Sequence, residues 1–314
     1  MMNNNGLVAG SGGHAVMTVV SVLSSSRSGS TVLATLLGQV SDVFYAGELQ
    51  PLWGPAWLPD ELCSCGQPVL ACPVWQPILE QLLDADLTAH IPRLRRLRDS
   101  TTRARHVLLP RWFAGREQSC ADFLKVTEQL YLNIQRVTGC RLVVDTSKSP
   151  SYVVMVGRIP KLECRVIHLV RDPRAMVFSW SRSKRWKNAK GEQPRWMPAY
   201  KAASHWLVQN GLIELFRPRF PNYIRVRYED FAADPHRILT SLLDFMGMPT
   251  EAVAESFAQR KARHILGANP DRFKPGAITI RLDDEWRRHM SPVTRWIVTS
   301  LTWPLMRKYG YLRN

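Results

Sequence analysis

Short apolar runs, each followed by a polar turn and then by a helical pattern, recur along the chain. The first run, residues 15–24, is rich in β-branched residues and has the length of a buried parallel strand. After a glycine-bearing turn, residues 30–40 place apolar side chains on one helical face, namely Val32, Leu33, Leu36, Leu37 and Val40. We expect a strand, a loop and a helix here, with Ser30 and Thr31 able to cap the helix start.

Three more apolar runs repeat this arrangement. They cover residues 141–146, 164–171 and 223–228, and each is followed by a polar turn and a helical segment. Such alternation predicts an α/β fold in which a parallel sheet is flanked by helices on both faces. Residues 119–137 and 196–216 are predicted to be long helices, and residues 269–284 an extended loop before a helical tail.

The chain is long enough for one large α/β domain, and we expect a single domain over residues 16–314. The Asn- and Gly-rich residues 1–15 are predicted to be disordered. Residues 50–135 contain Pro, Trp and a basic patch, a composition that favours a helical insertion over the sheet on the acceptor side of a site.

The strongly basic composition narrows the choice of partners. Lys and Arg number 42 against 26 acidic residues, which gives a net charge of +16. This charge favours acidic partners such as nucleotides, nucleic acid, sulfated sugars or anionic lipid. The sequence contains no zinc-finger, RNP or basic heptad pattern, so nucleic-acid binding is the weaker interpretation.

The cysteines do not follow a complete metal-binding pattern. Cys63, Cys65 and Cys72 offer three ligands, with no histidine nearby in the sequence. We therefore expect plain thiols or a small loop staple, and no metal. No signal peptide or transmembrane stretch is evident, so a cytoplasmic location is the default expectation.

The loop after the first strand has the composition of an anion site. It reads SSSRSGST over residues 24–31, at the point where backbone N–H groups and the helix dipole converge. Gly29 permits close approach, Arg27 can contact two anionic oxygens, and Ser28, Ser30 and Thr31 add hydroxyl donors. The loop lacks the lysine of a Walker A motif, which disfavours an ATPase or kinase. The alternative is a serine-rich turn that only caps a helix.

A second candidate loop follows the strand at residues 164–171. Arg171 ends the strand, Pro173 opens a helix, and Ser179 lies eight residues after Arg171. An arginine and a hydroxyl so placed could hold one phosphate. The alternative is that Asp172 and Arg174 merely cap and pair at the helix start.

Together the two loops resemble those of sulfotransferases that use 3′-phosphoadenosine 5′-phosphosulfate. The R-S-G-S-T of residues 27–31 is similar to the 5′-phosphosulfate loop of the carbohydrate and tyrosylprotein branches, and the R-D-P-R at Arg171 to the 3′-phosphate site. The resemblance implies that donor as co-substrate, no metal, and a P-loop-like fold with a five-stranded parallel sheet.

Other site residues follow only from this resemblance. Lys148, just after a strand, would touch the transferred group, and Arg272, Lys274 and Gly276 would contact the 3′-phosphate or the adenine side. The Y-E-D turn at residues 228–230 resembles a structural element of the family.

Glu48 is the candidate base. The tyrosylprotein and several carbohydrate branches have a comparable glutamate after the first helix, and a short strand at residues 44–47 would return Glu48 to the loop. The alternative is a surface glutamate at the end of a turn. His106 and His168 are competing bases, of which His168 fits a buried core histidine better.

The resemblance implies that Glu48 deprotonates an acceptor hydroxyl while Arg27, Lys148 and loop N–H groups hold the phosphosulfate. Sugars, phenols, lipids and peptide tyrosines all remain open as acceptors, and we expect a small molecule or a glycan. Trp53, Trp57 and Trp75 are candidates to line its pocket. A P-loop-like kinase and a basic nucleic-acid-binding protein are the alternative functions.

Overall fold

The computed structural model describes residues 16–53, 61–83, 87–104, 107, 117–182, 197–257, 264–267, 270–273 and 280–312. The prediction of disorder for residues 1–15 lies outside these residues.

Five parallel strands form the centre of the fold, as the sequence predicted. The strands are β1 (Met17–Ser24), β2 (Val43–Gly47), β3 (Leu142–Asp145), β4 (Leu162–Val170) and β5 (Asn222–Arg227). They lie side by side in the order β2-β3-β1-β4-β5, and every pair is parallel.

The apolar character of β1 follows from its position in the middle of the sheet. Val19 and Leu23 belong to the apolar cluster on one face, whereas Val20 and Val22 belong to the cluster on the other. A strand with both faces buried needs apolar side chains at successive positions. This requirement explains why β1 was recognisable from the sequence.

Helices cover both faces of the sheet. The described α-helices are α1 (Ser30–Leu37), α2 (Trp75–Leu83), α3 (Leu87–Thr101), α4 (Glu117–Thr138), α5 (Pro150–Val156), α6 (Pro173–Arg182), α7 (Ala199–Phe216), α8 (Tyr228–Ala233), α9 (Pro235–Met246), α10 (Val253–Ser256), α11 (Trp286–His289) and α12 (Pro292–Tyr309). Short 3-10 helices occupy Gln50–Trp53, Val69–Ala71, Arg217–Arg219, Thr250–Ala252 and Pro270–Phe273. None of these helices combines the length and apolarity that a bilayer-crossing segment requires.

The start of α1 differs from the prediction. Its N-cap is Gly29, which makes no side-chain cap, while Ser30 and Thr31 already belong to the helix. The prediction that Ser30 or Thr31 caps the start of α1 is therefore wrong. Side-chain caps do occur elsewhere, since Ser149 accepts from Tyr152 N–H at the start of α5.

The described part of residues 50–135 is mostly helical, apart from the turns and the isolated bridge within residues 61–68. Its role as an acceptor-side insertion stays a prediction. Trp75, a candidate to line the acceptor pocket, is instead a core residue, because its side chain is fully buried and packs against Phe44. The side chains of Trp53 and Trp57 lie outside the described residues.

Candidate active site

The candidate residues follow the carboxyl ends of the five strands. In sheet order, Glu48 follows β2, Lys148 lies just beyond β3, the loop of residues 24–31 follows β1, Arg171 follows β4 and Tyr228 follows β5. Ligands of open parallel sheets bind at this edge. One edge thus carries both predicted loops and both predicted reacting groups.

The loop after β1 has a backbone that only a few residue types adopt. Arg27 has φ 66 and Gly29 has φ 90. A Cβ on residue 29 would lie 2.5 Å from the ring of Tyr228, so this position requires glycine for space as well as for conformation. The Ser25 and Ser28 hydroxyls hydrogen-bond each other at 2.8 Å. The loop is therefore held in one shape at the start of α1, where N–H groups favour an anion.

Arg171 joins the two predicted loops. Its Nη1 donates to the backbone oxygen of Arg27 at 2.8 Å, and its guanidinium lies 4.7 Å from the centre of the Tyr228 ring. Arg171 is 7% exposed, and its Nε has no hydrogen-bond partner among the described residues. A buried, pre-oriented guanidinium with a donor to spare is suited to binding an anion.

Asp172 and Arg174, the neighbours of Arg171, do cap and pair at the helix start, as the alternative interpretation of the second loop predicted. Asp172 Oδ1 accepts from Arg174 N–H at 2.8 Å, and the two side chains form an ion pair. Glu229 accepts from Asp172 N–H at 2.9 Å, which fixes the loop to the start of α8, directly after β5. Asp172 and Arg174 therefore shape the loop and leave Arg171 to face the loop after β1.

Ser179 lies on α6, two turns beyond Arg171, and is half-buried. The next residue, Trp180, has its ring centre 6.0 Å from the guanidinium carbon of Arg27. This turn of α6 therefore neighbours the loop after β1. Phosphate binding by Ser179, as by Ser28, Ser30 and Thr31, stays a prediction.

Glu48 and Lys148 contact each other directly. Lys148 Nζ donates a hydrogen bond to Glu48 Oε1, although 100 residues separate them in the sequence. Both are partly open to solvent, with side-chain exposures of 17% for Glu48 and 30% for Lys148. Gln209 donates to the backbone oxygen of Lys148. The structure thus brings together the predicted base and the predicted contact to the transferred group.

Asp145, which the sequence did not single out, organises this pair. Its Oδ1 accepts from Ser147 N–H at 2.7 Å and Leu49 N–H at 3.4 Å, and its Oδ2 accepts from Tyr131 OH at 2.7 Å. Burial raises the pKa of Asp145 above its ordinary value, while these hydrogen bonds oppose the rise. The position at the end of β3, three residues before Lys148, was the available sequence signal. Its partners after β2 and on α4 were not visible in the sequence.

Among the candidate histidines, His168 is a core residue as predicted. Its ring contacts Tyr223 OH at 2.7 Å and Asn210 Oδ1 at 2.9 Å, and burial lowers its pKa to about 4. His106 lies outside the described residues. The sequence did not single out His205 on α7. Burial and the nearby charge of Lys148 lower the pKa of this histidine.

The late segment gives a mixed result. Arg272 Nη2 donates to Glu61 Oε1 at 2.5 Å and to the backbone oxygen of Leu62 at 3.3 Å. Contact of Arg272 with the 3′-phosphate or the adenine side of the nucleotide stays a prediction. Lys274 and Gly276 lie outside the described residues. The expected extended loop over residues 269–284 includes a 3-10 turn at Pro270–Phe273.

The sequence also missed Asp283. Its Oδ2 accepts from Arg171 Nη2 at 2.9 Å and also pairs with Arg182 of α6. This carboxylate therefore provides an anionic partner for the same guanidinium that was predicted to bind phosphate.

Comparisons with known proteins identify the family and agree with the fold. The model of a family described as "Sulfotransferase family" matches residues 20–252. Carbohydrate sulfotransferase 5 of Mus musculus is 28% identical over 270 residues, which are 73% of this chain and 64% of that protein. Carbohydrate sulfotransferase 3 of Mus musculus is 23% identical over 329 residues, which are 93% of this chain and 67% of that protein. The chain thus spans about two thirds of the length of these relatives.

A solved structure shows the same fold. It is the sulfotransferase domain from the curacin biosynthetic pathway, with a TM-score of 0.53 and 23% identity, covering 91% of this chain and 97% of that domain. At that identity the likeness concerns the fold.

Proposed function

Because this chain belongs to the sulfotransferase family, we propose that it transfers the sulfuryl group of 3′-phosphoadenosine 5′-phosphosulfate to an acceptor hydroxyl. The observation that carries the proposal is the hydrogen bond of 2.8 Å from Arg171 Nη1 to the backbone of Arg27. It brings the loops after β1 and β4 together, as a single site for a doubly phosphorylated donor requires. A donor with phosphate groups at both ends of a nucleoside needs two such loops side by side.

In this proposal the loop after β1 binds the 5′-phosphosulfate. The N–H groups at the start of α1 and the Arg27 side chain stabilise the negative charge there. Arg171 and Ser179 bind the 3′-phosphate. The buried Nε of Arg171 is a donor still available to a phosphate oxygen.

The Glu48 and Lys148 pair supplies the acid-base and electrostatic chemistry. Glu48 accepts the proton of the acceptor hydroxyl as its oxygen attacks sulfur, and the bond from sulfur to the 5′-phosphate oxygen breaks in line. The products are a sulfate ester and adenosine 3′,5′-bisphosphate. Lys148 stabilises charge on the oxygens of the transferred group and the leaving group. Their contact before the reaction orients the carboxylate.

The acceptor class proposed here is a glycan or a small hydroxyl compound. The carbohydrate names of the relatives at 28% and 23% identity support a glycan. The net charge of +16 is compatible with an anionic one. A cytoplasmic location stays a prediction from the sequence.

The proposal is tested by incubating the purified protein with radiolabelled donor and a panel of glycans, phenols and peptides. Glu48→Gln is expected to lower kcat by about 10² to 10⁴-fold, the range of a general base. Affinity for adenosine 3′,5′-bisphosphate should stay unchanged, because the carboxylate acts on the acceptor.

Glu128→Gln is the matched control. Glu128 also pairs with a lysine, at 2.8 Å to Lys161, but Lys161 directly precedes β4 and therefore lies at the opposite end of the strands from Lys148. It should leave kcat unaltered. Failure of both the donor and the bisphosphate to bind the wild-type protein would remove the proposal, and magnesium-dependent transfer from ATP would favour the kinase instead.

A further inference from the structure

Three cysteines and one histidine from distant parts of the chain meet beside the sheet. Their ligand atoms, from Cys63, Cys65, Cys72 and His264, all lie within 4.8 Å of one another. The sequence offered no histidine close to the cysteines, and so plain thiols or a small staple were expected. The fold supplies His264 from 192 residues beyond Cys72.

The spacing of these atoms fits a tetrahedral metal centre. Cys65 Sγ lies 3.8 Å from Cys72 Sγ, and His264 Nδ1 lies 3.3 Å from Cys72 Sγ and 3.9 Å from Cys63 Sγ. Zn–S bonds of about 2.3 Å and Zn–N bonds of about 2.0 Å place tetrahedral ligands roughly 3.5 to 3.8 Å apart. The three measured distances are therefore close to the edge lengths of such a tetrahedron, and all four atoms lie within 4.8 Å of one another.

We propose that Cys63, Cys65, Cys72 and His264 bind one zinc ion in a closed structural site. Sulfur and imidazole ligands in a tetrahedral arrangement select zinc over magnesium or calcium, which prefer oxygen. Four protein ligands leave no position for a substrate or a water molecule, so the ion has no part in the transfer reaction.

The backbone around the ligands is held by hydrogen bonds. Cys63 N–H donates to Gln67 O at 2.9 Å and Gly66 N–H to Cys63 O at 2.9 Å, which forms a tight turn around Cys65. On the other side, Trp75 Nε1 donates to His264 O at 2.7 Å. The four ligands are thus presented by two fixed segments.

Charge and access also favour the site. Three thiolates and one Zn²⁺ carry a net charge of −1, and Arg272 lies close enough to interact electrostatically with Cys63.

Cys65 is exposed, whereas Cys63 and Cys72 are buried. An ion can therefore enter at Cys65 and be enclosed by the other ligands.

The zinc ion would fasten residues 61–72 to residues 264–267. The latter segment lies along β2, since Leu266 N–H donates to Ala46 O and Glu48 N–H donates to Leu266 O, each at 2.9 Å. The site therefore holds in place the strand end that carries Glu48. Its existence does not depend on the transfer reaction proposed for Glu48.

Metal analysis of the protein as purified is the first test. Elemental mass spectrometry should find about one zinc ion per chain. The three thiols should resist alkylation until a chelator removes the ion. Replacement by Co²⁺ should produce the intense visible absorption of a tetrahedral cobalt thiolate. Chelation should lower Tm.

Variants separate binding from general destabilisation. His264→Ala and Cys72→Ser are expected to lower zinc content at least about tenfold, whereas His264→Cys should retain zinc because a fourth thiolate replaces the imidazole. Cys120→Ser on α4 is the control and should keep the full content.

The proposal is overturned if the reduced wild-type protein, dialysed against zinc, holds less than about one tenth of an ion per chain. It is equally overturned by a disulfide between Cys65 and Cys72 in protein isolated under reducing conditions, or by zinc that remains in His264→Ala. Each result can be read without an activity assay.

Discussion

At the scale of single residues, Gly29 shows how tightly the loop after β1 is packed. Gly29→Ala combines a φ of 90 with a Cβ 2.5 Å from the Tyr228 ring. We expect a loss of about 1 to 3 kcal/mol in the free energy of unfolding and at least tenfold weaker bisphosphate binding. Chemical denaturation and calorimetry would measure both.

The control for this change is Gly139→Ala. Gly139 has φ 67 with nothing within 4 Å of an added Cβ, so it reports the conformational cost without crowding. An equal effect of the two substitutions on stability, with binding preserved in Gly29→Ala, would contradict the packing argument.

Arg171 should discriminate between nucleotides. Arg171→Lys removes the bidentate geometry, and we expect affinity for adenosine 3′,5′-bisphosphate to fall about 10 to 100-fold. Affinity for adenosine 5′-monophosphate should change little, because it lacks the 3′-phosphate. Titration calorimetry of both nucleotides measures the difference, with the exposed Arg93→Lys as control. Equal losses for the two nucleotides would assign Arg171 to the other end of the donor.

The residues that the sequence revealed are those with a local pattern. Arg27 and Arg171 were found because each lies in a short motif between the end of a strand and the start of a helix. Asp145, Asp283 and His264 were missed because their partners lie far away in the chain. Asp283, for example, meets Arg171 across 112 residues. Such pairs become visible only when the sheet order is known.

At the scale of elements, the strands were easier to predict than the helix ends. The buried strand β1 is marked by its own apolar residues, whereas the cap of α1 depends on Tyr228, which follows β5 and excludes a side chain at residue 29. The short strand β2, which brings Glu48 to the carboxyl edge of the sheet, was predictable from the sequence. The pairing of Glu48 with Lys148 was not, because it depends on β2 lying beside β3.

His168 should make the stability of this packing depend on pH. It joins β4 to β5 and α7 through Tyr223 and Asn210, and burial lowers its pKa from 6.5 to about 4. Between pH 4 and pH 6.5, His168 binds a proton in the unfolded chain but not in the folded one. The free energy of unfolding should therefore fall as pH decreases from 6.5 to 4, by about 3 kcal/mol from this group.

Denaturation at several pH values with His168→Gln would measure that contribution. The variant should be less stable at neutral pH, since the buried contacts change, but its stability should decline less steeply below pH 6.5. The same slope in both proteins would show that His168 does not titrate on unfolding.

At the scale of the whole molecule, Asp283, which precedes α11, lies beside the loops at the carboxyl edge of the sheet. Asp283 pairs with Arg171 after β4 and with Arg182 of α6, and so competes with a phosphate for these cations. Asp283→Asn should therefore bind adenosine 3′,5′-bisphosphate several-fold to about tenfold more tightly.

Glu285→Gln is the matched control, since Glu285 also pairs with Arg182, at 2.6 Å, but is more exposed. It should change the affinity less. Weaker binding by Asp283→Asn would show instead that the carboxylate orients Arg171 for the nucleotide.

The backbone contact between Leu266 and β2 has a consequence for behaviour in concentrated solution. β2 is the last strand of the sheet on its side, and Leu266 pairs with it on the flank away from β3. A bare strand edge is a template on which a second polypeptide can add a strand, which is a route to aggregation. A Cβ at residue 47 would lie 1.8 Å from the Leu266 oxygen, so the fit depends on Gly47. The segment that supports Glu48 therefore also protects this edge against intermolecular strand addition.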